Sequence, residues 1–365
     1  MGIPDNWRIT PRIDGDNCIG SGELFVDHSQ NHRTGHLGHA LVNCSGEIMA
    51  FYTNCSGLRD EGHNGFGWVE YKRSVDGGKT WGPPIIMEHT YKTLLDGLYT
   101  CQAEKAIYTN CGTTILFYLN SSSTGKYWEP IYEPTYQRSF DNGRTWEKTK
   151  QLCDIRGRVF DVLYKEGIIY VLLFANDCTV TYTGTNPKHV YYLLVSEDDG
   201  KTFSVRSILP FDTIGRCYGN MVFRTDGSLV ACCYNYNDDY HLDYVISEDD
   251  GKNWSEEQRC FCSKRIRNPQ IVSFDNKYIL HGRGGKRRGA NCDFVFYVSD
   301  DAIHWDEGSV LCRPIDGANG WQCFYSNNLL IKDEKTESVL IQASVAYKDG
   351  LTNIHHWIIE KAREE

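Results

Sequence analysis

Six arginines in the second half of the chain bear most directly on chemistry: Arg216, Arg265, Arg267, Arg283, Arg287 and Arg288. A guanidinium is a planar fork of donors that binds a carboxylate through two parallel hydrogen bonds. The chain as a whole is acidic, with a formal net charge of -10. Arginines gathered in an acidic protein indicate a site for a small anionic ligand, although any one of them can instead form a salt bridge with an aspartate or glutamate.

Cysteines and histidines do not have the spacing of a metal site. The 15 cysteines are irregularly spaced, and Cys232-Cys233 and Cys260-Phe261-Cys262 lack the C-x-x-C pattern of a zinc site. His36 and His39 share a predicted strand without a third ligand, so we expect them to pack or to contact a ligand. We predict no metal and no cofactor.

The same composition predicts a compartment and excludes two classes of partner. Many unpaired thiols and no apparent leader favour a cytoplasmic protein, or a secreted one if a leader has been removed. An acidic chain repels phosphate backbones, so we expect no nucleic-acid partner. Hydrophobic residues make up 41% and charged residues 24%, and no apolar run reaches membrane-spanning length. We therefore expect no membrane association.

A short turn motif recurs five times and must organise the elements that carry these residues. Its copies are SVDGGKTW at 74–81, SFDNGRTW at 139–146, SEDDGKTF at 196–203, SEDDGKNW at 247–254 and a degenerate SDDAIHW at 299–305. In each copy we expect the aspartate to cap backbone N–H groups, glycine to take the positive-φ position and the aromatic ring to pack beneath. The starts of successive copies lie 65, 57, 51 and 52 residues apart, which matches a repeated four-stranded unit.

This repeat predicts an all-β fold, a six-bladed β-propeller with four-stranded antiparallel blades, as a single domain over residues 1–365. Six apolar segments are predicted first strands: 37–42, 101–108, 159–164, 218–223, 269–274 and 324–331. The last segment lacks the motif, so we expect it to close the ring by pairing with N-terminal residues. The starts of the first strands then face one axial pocket.

The five turns resemble the Asp-boxes of the sialidase and BNR-repeat families, and the resemblance covers nearly the whole chain. It implies a glycoside hydrolase with a tyrosine nucleophile, an acid/base residue and arginines that bind the substrate carboxylate. Tyrosine suits this reaction because an anionic nucleophile would be repelled by the carboxylate on the anomeric carbon. The residues at 324–327 (FYSN) are similar to the family's Tyr-Ser-Ser segment, which makes Tyr325 the nucleophile candidate.

Other family positions map onto the first and fifth blades. The stretch 46–74 is similar to the family's first blade, where Arg59 is a substrate-binding candidate and the acid/base falls on Asp60, Glu61 or His63. In the fifth blade, Arg283 stands at the Ala-Arg-Gly position and Arg287 or Arg288 at the clamp position. Further candidates for substrate binding at the first strands are His39, Arg216, Tyr218 and Arg267.

The chain departs from the family pattern at two places. The opening Arg-Ile-Pro signature is replaced by GHLGHA at 35–40, which removes the first clamp arginine unless Arg33 bends inward. The tyrosine-activating glutamate is replaced by Asn268, so Glu104, Asp161 or His39 would have to activate Tyr325.

These features predict an enzyme that binds carbohydrate: a sialidase-like exo-glycoside hydrolase acting on a terminal acidic sugar, either a sialic acid or a uronate. Two alternatives remain open. One is a polysaccharide lyase on the same propeller, in which Tyr325 and a histidine such as His39 move a proton next to a uronate. The other is a propeller that binds carbohydrate without cleaving it.

Overall fold

Each Asp-box forms the hairpin turn that its residue types predict. In the first box Asp76 Oδ1 accepts hydrogen bonds from the backbone N–H groups of Lys79 and Thr80, at 3.1 and 2.9 Å. Ser74 Oγ accepts from the Gly78 N–H at 2.9 Å, and Gly78 has a φ of 86°. The hydrogen bonds that Asp76 accepts from the hydroxyl and the N–H of Thr80, together with those from Ser74 and Lys79, hold its pKa at about 2, below its ordinary value. The degenerate fifth box keeps the turn without glycine, because Ala302 takes the left-handed conformation at a φ of 62°.

The computed structural model describes residues 2–11, 22–56, 65–122, 132–175, 189–212, 214–284, 292–313, 323–332, 336–348 and 351–362. Its strands form six antiparallel sheets. The first three blades contain β3 (Arg33–Thr34), β4 (Ala40–Cys44), β5 (Glu47–Ser56), β6 (Gly67–Ser74) and β7 (Ile85–Ile86); then β8 (Tyr99–Tyr108), β9 (Thr114–Ser122), β10 (Thr135–Ser139) and β11 (Lys150–Gln151); then β12 (Gly157–Lys165), β13 (Ile168–Ala175), β14 (Val190–Ser196) and β15 (Ser204–Ile208).

The remaining blades have the same layout. They contain β16 (Arg216–Phe223), β17 (Leu229–Asn235), β18 (His241–Ser247) and β19 (Gln258–Phe261); then β20 (Arg267–Phe274), β21 (Lys277–Arg283), β22 (Phe294–Ser299) and β23 (Ser309–Cys312); then β24 (Ser326–Lys332), β25 (Glu337–Lys348) and β26 (Leu351–Lys361), joined by β1 (Trp7–Thr10) and β2 (Glu23–Val26). One helix, α1 (Glu88–Leu95), connects the first two blades. Within the ranges described, no helix has the length and apolarity needed to cross a membrane.

The blades are arranged in a closed ring. The inner strands contact one another in the order β4, β8, β12, β16, β20, β24 and back to β4. The sixth blade is completed from the other end of the chain, because β1 and β2 both pair antiparallel with β26. The six-bladed propeller and its closure by N-terminal strands are therefore confirmed. The first inner strand begins three residues later than predicted, at Ala40, because Gly38 has a φ of 82° that an extended strand cannot accommodate.

The core lies between the blades rather than at the axis. The second strand of a blade, such as β13 with the sequence IIYVLLFA, is buried on both faces because neighbouring blades cover it. The 13 cysteines in the described ranges are all free thiols, and most are buried. Burial raises the pKa of Cys55 and of Cys323 to about 12, so these two thiols stay protonated and pack as small apolar groups. The cytoplasmic location stays a prediction.

At the axis one lysine joins the blades. Lys105 Nζ, on β8, lies 3.0 Å from Asp161 Oδ1 on β12. It also donates to Gln270 Oε1 at 2.6 Å and to Asn327 Oδ1 at 2.9 Å. Asp161 in turn accepts the N–H of Met221, on β16, at 2.8 Å. Asn327 donates to the carbonyl of His39, just before β4, at 2.8 Å, so the cluster touches all six blades.

We expect Lys105→Met to lower the free energy of unfolding by about 3–5 kcal/mol, because it leaves the Asp161 carboxylate buried without its cation. Urea denaturation measures the loss. The matched control is Lys165→Met, which removes a half-exposed ion pair with Asp250 at 3.4 Å and should cost about 1 kcal/mol or less. Equal losses in the two variants would contradict the central role of Lys105.

Several buried histidines make the fold sensitive to acid. Burial lowers the pKa of His28 to about 4 and the pKa values of His39 and His281 to about 3. The unfolded chain, with ordinary histidines, takes up protons before the folded chain does. Stability is therefore complete above about pH 6.5 and falls as the pH drops towards the folded pKa values.

We expect the free energy of unfolding to fall between pH 6.5 and 5 by about 1.4 kcal/mol per pH unit for each such histidine. Urea titrations at pH 7.5, 6 and 5 measure this slope. His281→Gln should make the slope shallower. A free energy of unfolding that stays constant over this range would show that the histidines titrate alike in both states.

Candidate functional site

The axial pocket is built by irregularities at matching positions of the inner strands. The pairing register shifts at Glu104 in β8, at Phe160 in β12, at Tyr218 in β16 and after Arg267 in β20. A β-bulge of this kind turns a side chain out of the regular alternation, and bulges occur often beside active sites. Here each bulge directs a side chain towards the axis.

The pocket formed in this way receives residues from all six blades. Open solvent included, its volume is about 420 Å³. It is lined by Leu37, Gly38, His39, Ala103, Glu104, Lys105, Arg158, Val159, Phe160, Tyr218, Asn268, Gln270, Tyr325, Ser326 and Asn327. Lys105, Gln270 and Asn327 are members of the axial cluster described above, so that cluster forms the floor of the pocket.

Tyr325 lies in the pocket with three neighbours around its ring. The guanidinium carbon of Arg283 is 5.0 Å from the ring centroid. The rings of His36 and Tyr218 have centroids 4.5 and 5.8 Å away. The preceding residue, Phe324, has a φ of 60° and stacks on Phe294 with parallel rings 5.2 Å apart. This anchored left-handed residue turns the chain so that the next side chain, Tyr325, reaches the axis.

Positive charge is concentrated on the side of the pocket next to Tyr325. Asp239 is shared by two arginines, at 2.7 Å from Arg265 and 3.9 Å from Arg267. The Arg267 Nε atom is buried and has no hydrogen-bond partner among the described residues. Burial opposes its charge, yet Tyr234, Tyr325 and Asp239 together raise the pKa of Arg267 above its ordinary value. Arg267 therefore places a positive charge next to Tyr325, where it attracts an anion.

The opposite side of the pocket holds a neutralised ion pair. Arg158 binds both oxygens of Glu104, with Nη2 to Oε1 at 2.6 Å and Nε to Oε2 at 3.2 Å. Its Nη1 donates to the hydroxyl of Tyr218 at 2.9 Å. Both members of the pair are almost fully buried. Glu104 therefore has both oxygens occupied by Arg158.

Asn268 occupies the position where the family resemblance places a glutamate. It lines the pocket, is 3% exposed and has a φ of 53°. Neither its Oδ1 nor its Nδ2 has a hydrogen-bond partner among the described residues. Asparagine tolerates the left-handed backbone better than most residues, which accounts for its presence at this bulge. A neutral amide there cannot serve as the base that a glutamate would provide.

The structure brings together Tyr325, Tyr218, His39, Arg267 and Arg283 around the pocket, and their roles stay predictions. The His39 ring faces inward: its Nδ1 lies 3.1 Å from Gln342 Nε2, and burial keeps it neutral. Arg216 is occupied within its own blade, with Asp243 at 2.6 Å and Glu257 at 2.8 Å. This placement favours a structural role for Arg216.

Other candidates lie outside the described residues: Arg59, Asp60, Glu61, His63, Arg287 and Arg288. Arg33 is described, and it stays on the first blade, where its Nη2 donates to the carbonyl of Asn54 at 2.6 Å. In the described ranges, no group of three or more histidine, cysteine or acidic side chains has the arrangement of a metal site.

Sequence reasoning missed Arg158 and Lys105. Both lie on inner strands of ordinary strand-like sequence, GRVFDVLYK and YTCQAEKAIY. A charged residue within a repeated apolar inner strand is a usable signal, because inner strands line the axis in a ring of blades. This signal can be recognised only after the sequences of the six first strands have been aligned.

Comparison with known proteins agrees with this fold. No family model matches the chain, and no curated protein matches it. Among solved structures, a protein of unknown function from Dyadobacter fermentans is 16% identical, with a TM-score of 0.72, over 98% of this chain and 100% of that chain. The intramolecular trans-sialidase from Ruminococcus gnavus is 11% identical, with a TM-score of 0.61, over 92% of this chain and 96% of that chain.

The NanB sialidase from Streptococcus pneumoniae is 14% identical, with a TM-score of 0.62, over 94% of this chain and 71% of that chain. At these identities the similarity establishes the fold and leaves the activity open. The chain thus has the six-bladed propeller fold of the sialidases.

We expect Asn268→Gly to leave the melting temperature unchanged or to raise it, because it removes a buried amide without partners and suits the left-handed backbone. Asn220 is the matched comparison, since its Oδ1 accepts the Ile271 N–H at 2.8 Å. Asn220→Ala should cost about 1–3 kcal/mol by leaving that donor buried and unpaired. Thermal unfolding of both variants tests this, and an equal loss would mean that Asn268 has a partner.

Proposed function

We propose that this protein is a glycoside hydrolase that acts on a terminal acidic sugar, with Tyr325 as the nucleophile. In the first step the Tyr325 hydroxyl gives its proton to a histidine of the pocket, His36 or His39, its oxygen bonds to the anomeric carbon and the glycosidic C–O bond breaks, while the leaving oxygen takes up a proton from the acid residue. In the second step water gives a proton to the former acid residue and displaces Tyr325, which regains its own proton from the histidine, and the sugar leaves with retained configuration. The proton donor is proposed among Asp60, Glu61 and His63.

The observation that carries this proposal is the position of Tyr325 in a shared axial pocket, beside the two arginines Arg267 and Arg283. Arg283 lies over its ring, and Arg267 interacts electrostatically with it. A sugar carboxylate bound by these two arginines would hold the adjacent anomeric carbon close to the Tyr325 hydroxyl. Arg158 has no such role, because Glu104 already occupies it.

The solved structures with this fold support the same reading. They include a Trypanosoma rangeli sialidase in a covalent intermediate with 2,3-difluorosialic acid, which is 14% identical with a TM-score of 0.58. That protein is a sialidase, and the Ruminococcus gnavus protein is an intramolecular trans-sialidase. The proposal extends this chemistry to a pocket that has Asn268 in place of the usual glutamate.

One contact favours a second candidate, a lyase acting on a uronate-containing polysaccharide. His36 lies against Tyr325, with ring centroids 4.5 Å apart, whereas His39 is turned towards Gln342. A tyrosine and a neighbouring histidine can share the removal and return of a proton next to a carboxylate. In that case His36, rather than His39, would be the partner of Tyr325.

The decisive experiment compares wild type with Tyr325→Phe on aryl glycosides of N-acetylneuraminate, of glucuronate and of a neutral hexose. We expect wild type to release the aryl group only from acidic sugars, and Tyr325→Phe to lower kcat/KM at least about a thousandfold by removing the nucleophilic oxygen. Arg283→Met should raise KM for the acidic substrate about a hundredfold, the equivalent of about 3 kcal/mol.

Tyr136→Phe is the matched control, because that hydroxyl only donates to the carbonyl of Lys201 on the outer part of the propeller at 3.2 Å. It should cleave at the wild-type rate. If the protein forms an unsaturated product that absorbs ultraviolet light from polyuronate, it is a lyase and not a hydrolase. If the protein binds these sugars without cleaving them, and Tyr325→Phe binds them with the same affinity, the protein is a carbohydrate-binding propeller.

A further inference from the structure

Tyr218 has a backbone conformation that needs an explanation. Its φ is 38°, in the left-handed region, at the bulge of β16 where the pairing register shifts between Cys217 and Gly219. A bulky aromatic residue rarely adopts this conformation, which costs of order 1 kcal/mol or more and persists only where surrounding contacts impose it. Strained residues of this kind cluster at functional sites.

The contacts that hold Tyr218 come from the third blade. Arg158 Nη1 donates to its hydroxyl at 2.9 Å, and the Arg158 guanidinium carbon is 5.0 Å from its ring centroid. Phe160 stacks on the Tyr218 ring, with ring centroids 5.0 Å apart and an angle of 27° between the ring planes. Together these contacts fix both the hydroxyl and the plane of the ring.

Arg158 is itself held by Glu104, which lies on β8 in the second blade. Glu104 accepts two hydrogen bonds from it, and both side chains are about 5% exposed or less. A buried ion pair of this geometry is rigid, because either partner left alone would keep an uncompensated charge in the interior. The pair therefore gives Tyr218 a fixed support.

Tyr218 transmits this support to Tyr325. The two rings meet edge to face, with centroids 5.8 Å apart and planes at 64°. The ring of Tyr325 is thus confined by Tyr218, by His36 and by the guanidinium of Arg283. Of these three neighbours, only Tyr218 is held in a strained backbone conformation.

We propose that Tyr218 is a positioning residue that sets the orientation of the Tyr325 ring, and that the buried Glu104–Arg158 pair serves to hold Tyr218. The effect on rate rests on the proposed function, whereas the effect on ring orientation does not. In this proposal Glu104 acts through this chain of contacts and not as the base for Tyr325, because Arg158 balances its charge.

The test uses Tyr218→Phe, which removes only the hydroxyl bound by Arg158 and keeps the ring. On the acidic aryl glycoside we expect kcat to fall about tenfold to a hundredfold with KM nearly unchanged, as is usual for misplacement of a reacting group by about 1 Å. The double substitution Glu104→Gln with Arg158→Met should produce the same loss. Adding Tyr218→Phe to that pair should bring no further loss, because all three residues act along one chain of contacts.

Tyr244→Phe is the control, since that hydroxyl contacts Gln258 at 2.9 Å on the outer part of the same blade. It should retain the wild-type kcat. The proposal would be overturned if Tyr218→Phe kept the wild-type kcat. It would also be overturned if the loss in kcat from Tyr218→Phe added to the loss from the Glu104→Gln and Arg158→Met pair.

Crystal structures of wild type and Tyr218→Phe separate this proposal from the proposed function, because they need no turnover. We expect the Tyr325 ring to rotate in the variant. An unmoved ring would overturn the positioning role whatever the enzyme does. A rotated ring in a protein that cleaves none of the glycosides would support the positioning role and contradict the hydrolase.

Discussion

The hydrogen bonds of Lys105 at the axis are the interaction on which the rest of the structure depends. One ammonium group binds Asp161, Gln270 and Asn327. Through Asp161 and Asn327 it is linked to the two remaining inner strands. For this buried ammonium, a carboxylate and two amide oxygens replace the water that it would lose among four blades. The inner strands are thereby held at one distance from the axis.

This cluster also decides the shape of the pocket. Lys105 and Asn327 line the axial pocket on one side and a wider, mainly apolar recess on the other. The axis is therefore closed at this level, and a ligand in the pocket meets a polar floor. The Asp-boxes of the first five blades lie at the turns that follow the third strand of each blade, where they stabilise hairpins.

Residues with a strained backbone lie next to the axial pocket. Tyr218, Asn268 and Phe324 have left-handed backbones at the beginnings of three inner strands. The hydroxyl of Tyr218 accepts a hydrogen bond from Arg158, and the ring of Phe324 stacks on Phe294. The side-chain amide of Asn268 has no hydrogen-bond partner among the described residues. A regular strand would send alternate side chains into the neighbouring blades. The bulges turn selected side chains towards the axis, at the cost of local backbone strain.

The fold can be predicted from the sequence alone, because the Asp-box is a local structure. Its aspartate, glycine and aromatic ring lie within eight residues, so each copy specifies its own hairpin, and the spacing between copies specifies the blade. The same repeat pointed to strand starts as pocket residues, which is how Tyr218 was predicted, whereas Tyr325 and Arg283 were predicted from the resemblance to the sialidase family. The partners of these residues, in contrast, depend on the packing of the blades. Arg158 binds Glu104 54 positions away and Lys105 binds Asn327 222 positions away, and charge pairing over such distances depends on how the blades meet, which no local pattern records.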